Sequence, residues 1–226
     1  DLQTSLRLRM LGGVSRLPAD PETPLMHSRT YTVRAYYEQP GVMRLRGAIL
    51  DEKPPRLFFP EDDEALPIHE MVVDLMLAVP SLEITDVQVV MEVTPHLHCT
   101  SIEDSYQQLI GQSIARGFSR QITERFGGVT GCTHIGALLR AMAPVAVQSM
   151  WSMRHLDPEN SPVDTDRSDD ESRRAAMVFN LNSCHVWDEN SDMAQTALRG
   201  ESIGIPVWAE KRMVKLGRPE SDWDGF

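Results

Sequence analysis

From residue 29 the chain alternates between apolar and polar positions. Arg29–Tyr37 (RTYTVRAYY) and Val42–Leu50 (VMRLRGAIL) are rich in β-branched and aromatic residues, and the turn-forming Glu38-Gln39-Pro40-Gly41 lies between them, which predicts a β-hairpin. Arg44 and Arg46 alternate with Met43 and Leu45, as a strand with one wet face requires. A proline- and acid-rich loop spans residues 51–67. Met71–Val79 and Ile84–Val93 then predict a second hairpin around Pro80-Ser81-Leu82-Glu83, with Val87, Val89, Met91 and Val93 on one face.

At residue 100 the period changes from two to 3.6. Thr100-x-x-Glu103 reads as a capping box ahead of Ile102, Tyr106, Leu109 and Ile110, predicting a helix near 101–112 with Cys99 just outside its N-terminus. Ile114, Phe118, Ile122 and Phe126 recur every four residues and predict a helix over 113–126, stopped by Gly127-Gly128. A third helix is expected from near Thr130 to Arg154, with Ile135, Leu138, Leu139, Met142, Ala146 and Met150 on its apolar face and a bend at Pro144. Segments 176–187 and 205–214 predict two further strands. The expected fold is α+β: an antiparallel sheet of four to six strands, covered on one face by three helices. Its organisation is an N-terminal arm (1–28), a core domain (29–156), an acidic linker (157–174), and C-terminal strands with a tail (175–226).

Charge and composition narrow the partners. A formal charge of −11 with pI near 5.1 repels phosphate backbones, so nucleic acid is excluded as the expected partner. No stretch approaches the ~18 apolar residues of a membrane span, and the first residues carry no apolar leader. Three cysteines without disulfide-like spacing argue for a reducing compartment, hence a soluble cytoplasmic protein. Self-association into a homo-oligomer stays open.

Every cysteine lies within three residues of a histidine: Cys99 follows His96 and His98, Cys132 precedes His134, and Cys184 adjoins His185. Thiolate beside imidazole is a ligand set for zinc or iron, although a free cysteine also packs as a small apolar residue. Cys99 and Cys132 fall at expected helix N-termini, where amide hydrogens favour a thiolate. With Thr130 as N-cap, Cys132 and His134 would stand about 200° apart on an ideal helix, so His134 joins Cys132 only if the helix starts late. His69 opens the third strand and can approach the loop after the fourth. Asp74 is opposite in phase to Met71, Val73 and Leu75, which makes it solvent-facing or, less simply, a buried acid or a partner for a histidine. The expected metal ligands are thus Cys99, Cys132, His69 and His134 with Cys184 in reserve, and the catalytic candidates are His134, His69, His185 and Asp74.

The run from His69 to Met150, with Tyr106-Gln107-Gln108-Leu109-Ile110-Gly111 and Gly131-Cys132-Thr133-His134-Ile135, resembles the domain-of-unknown-function family numbered twenty-eight eighty-nine. Asn182-Ser183-Cys184-His185-Val186-Trp187 resembles its C-terminal signature. This resemblance implies a bacterial setting of aromatic-compound catabolism and a small aromatic substrate. A more distant similarity, carried by Cys99 and Cys132, is to NifU-like iron-sulfur scaffolds, with His69 where their first cysteine stands. It implies the scaffold fold and a metal site.

The expected function is a metal-dependent enzyme holding a divalent ion, zinc or iron, and breaking a carbon–carbon bond in retro-aldol fashion. A metal-dependent hydrolase and a non-catalytic metal or iron-sulfur carrier are the alternatives. Walker, Rossmann and GxSxG signatures are absent, which lowers kinase, dehydrogenase and α/β-hydrolase readings.

Overall fold

The computed structural model describes residues 20–160, 171, 174–175, 177 and 180–223. Most of the expected arm and linker therefore lies outside the described residues. Four strands, β1 (Ser28–Gln39), β2 (Val42–Lys53), β3 (Leu66–Ala78) and β4 (Glu83–Val93), form an antiparallel meander in the order β1-β2-β3-β4. The alternation along each strand sets the layers. Met43, Leu45 and Ile49 of β2, Met71, Val73, Leu75 and Leu77 of β3, and Val87, Val89 and Met91 of β4 are buried on one face.

Helix α1 (Phe118–Phe126) and the long α2 (Thr133–Leu156) cover that face, and Ile135, Leu138, Leu139, Met142, Ala146 and Met150 of α2 complete the core. Gly47 explains how closely α2 approaches. A Cβ there would lie 2.6 Å from the Met142 sulfur and 3.0 Å from a Leu138 methyl, so only glycine leaves room for the helix at the middle of β2. At the far end of α2, Asp157 accepts the backbone N–H of Gly41 at 2.8 Å and ties the helix to the β1–β2 turn.

Three expectations are corrected. The first helix is a 3-10 segment, Cys99–Leu109, without side-chain capping. Glu103 instead accepts the N–H of Met91 at 2.7 Å, and Gln107 donates to the carbonyl of Val87 at 2.6 Å. The edge of β4 takes the Glu103 side chain that the capping box would have used. Residues 113–117 are not helical; α1 begins at Phe118, after Gly117 at φ 83°. Among the described residues neither of the two C-terminal strands is formed. Described residues of 177–187 are turns and a 3-10 turn at His185–Trp187, and residues 205–214 lead into a helix. Helices α3 (Asp192–Leu198) and α4 (Val207–Leu216) stand there, with Leu198, Ala194, Leu181 and Met177 in a small core of their own. Among the described residues no helix is long and apolar enough to cross a membrane.

Candidate acid–base site

Strand alternation does more than build the core. The buried series Met43, Leu45, Gly47 and Ile49 of β2 continues in phase to Asp51, which is 1% exposed on the helix-covered face. Asp51 pairs in register with Arg29 of β1 and with His69 of β3, so the sheet lays Arg29, Asp51 and His69 in one row across three strands. The β2–β3 ladder shifts register directly after Asp51, the kind of irregularity that re-aims a side chain at a sheet end. The N-terminus of α2 reaches the same place with His134.

Four basic groups converge on the one carboxylate. Arg29 binds it in bidentate fashion, Nε donating to Oδ1 at 2.6 Å and Nη2 to Oδ2 at 2.7 Å. His69 Nδ1 lies 3.0 Å from Oδ2, His134 Nε2 3.4 Å from the same oxygen, and His27 Nε2 3.7 Å from Oδ1. The His69 and His134 rings stack with centroids 3.8 Å apart. Arg29, above all, holds the Asp51 carboxyl below the usual carboxylate range despite the cost of burial. Burial, then the neighbouring His69 and Arg29, push the His134 imidazole down, with Asp51 opposing them. This favours the neutral form of His134, and one positive charge on the stacked pair discourages a second.

The local chain path explains His134. Gly131 is extended, and a Cβ there would stand 2.4 Å from the Phe126 carbonyl oxygen, so glycine is needed for α1 and α2 to meet this closely. Cys132, not Thr130, is the N-cap of α2, with extended dihedrals (φ −97°, ψ 129°). This late start turns the thiol toward the imidazole, and Cys132 Sγ lies 3.7 Å from His134 Nδ1. The Cys132 N–H donates to the Tyr106 hydroxyl at 2.9 Å. Tyr106 is fully buried, stacks on Phe126, and is pushed up to about 12 by burial, so its hydroxyl stays protonated while it anchors the start of α2.

Of the residues singled out from sequence, His69 and His134 meet at this site and Cys132 adjoins it. Among the described residues, the one group of three metal-capable donors drawn within 4.8 Å is Asp51, His69 and His134, and none of the three cysteines belongs to it. Cys99 opens the 3-10 segment beside β4, while Cys184 and His185 are exposed in a turn of the C-terminal region. Asp74 is the buried acid and not the solvent-facing one: it is 6% exposed on the helix-free face, where Arg44 and Arg46 from the adjacent strand bind it. Asp51, Arg29 and His27 were not picked out from sequence. The in-phase continuation of β2 one step beyond Leu50 is the signal that finds Asp51.

The arrangement supports proton transfer. His69 Nδ1 faces the carboxylate, which leaves Nε2 as the atom that exchanges a proton, oriented as a carboxylate-held imidazole base is. No curated protein and no solved structure matches this chain, and the NifU-like likeness gains no support from them. The sequence profile described as "protein of unknown function (DUF2889)" covers residues 27–148, which include His27, Arg29, Asp51, His69, Cys132 and His134; the chain belongs to this family.

Proposed function

We propose that the chain is a lyase that breaks a carbon–carbon bond of a small aromatic substrate in retro-aldol fashion, with the Asp51–His69 dyad as general base. The observation that carries this reading is the buried Asp51 carboxylate with Arg29 on one side and two stacked imidazoles on the other. His69 Nε2 takes the proton of a substrate hydroxyl as the carbon–carbon bond breaks. The hydroxyl carbon becomes a carbonyl, and the bonding electrons pass to the neighbouring carbon. The His69 imidazolium, stabilised by Asp51, then protonates that carbon, so the enzyme ends as it began. The neutral His134 supports a single proton on the pair, and no organic cofactor is needed. Three unpaired thiols suit the cytoplasm.

A second reading, in which the same three side chains hold zinc or iron, is favoured by their spacing. Bonds of about 2.0–2.1 Å place neighbouring donor atoms about 2.9–3.4 Å apart, and the separations of His69 and His134 from Asp51 Oδ2 are 3.0 and 3.4 Å. Bidentate Arg29 weighs against it, since a guanidinium beside a divalent ion adds repulsion. Screening β-hydroxy aryl compounds for aldehyde release, before and after complete chelation, decides between them. Turnover that survives chelation and is lost in His69→Ala supports the acid–base reading. Turnover abolished by chelation and restored by zinc or iron favours the metal, and turnover retained by His69→Ala contradicts both.

A further inference from the structure

The connection from β2 to β3 hangs from the two strand ends that hold Asp51 and His69. It is closed on itself: the Arg56 N–H donates to the Asp62 carbonyl at 2.9 Å, the Asp62 N–H to the Phe59 carbonyl at 3.0 Å, and Arg56 Nε to Asp63 at 2.6 Å. Arg56 takes the left-handed φ of 63° that this tight path needs. The loop thereby displays its apolar residues outward. Phe58 is 60% and Phe59 53% exposed, with Leu57 beside them. Two other segments at this end of the sheet also expose an apolar side chain: Leu97 in the loop after β4, and Val129 three residues before Cys132. Apolar side chains exposed on segments that share a sheet end with a polar site are where an apolar group of a ligand can be held.

The charge of the same loop selects the occupant. Glu61, Asp62, Asp63 and Glu64 follow the phenylalanines directly, and Arg56 offsets only part of that charge. The site at those strand ends offers an anion little in return, because Asp51 already balances the charge of Arg29 through Nε and Nη2, and Arg29 Nη1 donates to the Tyr31 hydroxyl at 3.4 Å. A carboxylate or phosphate is repelled at the rim and meets in Arg29 a guanidinium whose charge Asp51 already balances, whereas a neutral ring loses nothing.

We infer that Phe58 and Phe59 form a binding subsite for a neutral aryl group of the substrate, and that this subsite rejects carboxylated analogues. The inference rests on the site of the proposed lyase, but its test reads binding alone, so it fails or stands apart from the chemistry. The probes are 4-methoxybenzaldehyde and 4-methoxybenzoate, which share a ring and differ in charge. They are titrated calorimetrically into the wild-type chain and into Phe58→Ala/Phe59→Ala. The aldehyde should bind the double variant about tenfold more weakly than the wild type, or worse. The benzoate should bind the wild type at least about tenfold more weakly than the aldehyde. Both phenylalanines are exposed, so unchanged thermal unfolding will confirm that the double variant is folded. Equal aldehyde binding by the wild type and the double variant, binding of the benzoate as tight as the aldehyde, or no aldehyde binding by the wild type would each overturn the inference.

Discussion

The two faces of the sheet each bury one aspartate against arginine, and they differ in what else reaches it. On the helix-free face Asp74 pairs across strands with Arg46 and is bound by Arg44, two cations that keep their charge at every accessible pH. Its Oδ1 has no hydrogen-bond partner among the described residues. On the helix-covered face Asp51 has one arginine and is also approached by His69, His134 and His27, three imidazoles that can each carry or release a proton. The first is an ion pair that orders the sheet, and the second is a carboxylate whose neighbours can move a proton. Burial of a charge is therefore a poor sign of function by itself, and the identity of its partners carries the information.

Replacing both aspartates by asparagine is the sharpest way to break the comparison. Asp51→Asn should lower kcat by about 10³-fold or more, because an amide neither stabilises the His69 imidazolium nor fixes its tautomer. Asp74→Asn should leave kcat within about twofold and cost about 1–2 kcal/mol in urea unfolding, a modest value because Arg44 and Arg46 are each about a third exposed. Equal losses of kcat in the two variants would end the distinction.

The imidazoles come next in size. His69→Ala should reduce kcat by about 10²–10⁴-fold with KM little changed, the mark of a group that acts in the transition state. The pH dependence sharpens this. Because the folded chain holds His134 below its ordinary value, the unfolded chain takes up that proton first as pH falls. Stability linked to His134 is then complete above about pH 6.5 and is lost as the pH drops through the lowered folded value. The Asp51 contribution follows the same sign further down, intact above about pH 4 and lost below it. Urea midpoints measured from pH 8 to pH 4 should show the upper step in the wild type and lack it in His134→Gln.

The smallest effects concern the anchor of α2. Tyr106→Phe removes the acceptor of the Cys132 N–H and should cost about 1 kcal/mol in thermal or urea unfolding, with a several-fold loss of kcat as His134 loses its fixed start. Rescue of kcat at low temperature, where the helix end is quieter, would separate positioning from chemistry.

Most of the sheet was legible because period two survives wherever one face is dry, and the long α2 because its 3.6-residue stripe runs from Ile135 to Met153, about five turns. Residues 205–214 misled because a short apolar run carries both periods. The buried pair Ala209 and Met213, four apart behind Pro206, was the helical signal within it. At the site, His69 and His134 were legible as imidazoles at element ends, whereas Asp51 was hidden by a strand boundary drawn one residue early. The cysteines drew attention through their spacing, but spacing in the chain says nothing about which strand end faces which helix, and only Cys132 reached the site.

The measurement that bears most directly on the acid–base account is the ring-nitrogen NMR spectrum of His69 in the purified, metal-free chain near pH 7. The account predicts a proton on Nδ1, donated to Asp51, with Nε2 bare, and loss of that tautomer preference in Asp51→Asn. A proton on Nε2 with Nδ1 unprotonated would contradict it, because His69 could then present no base to a substrate.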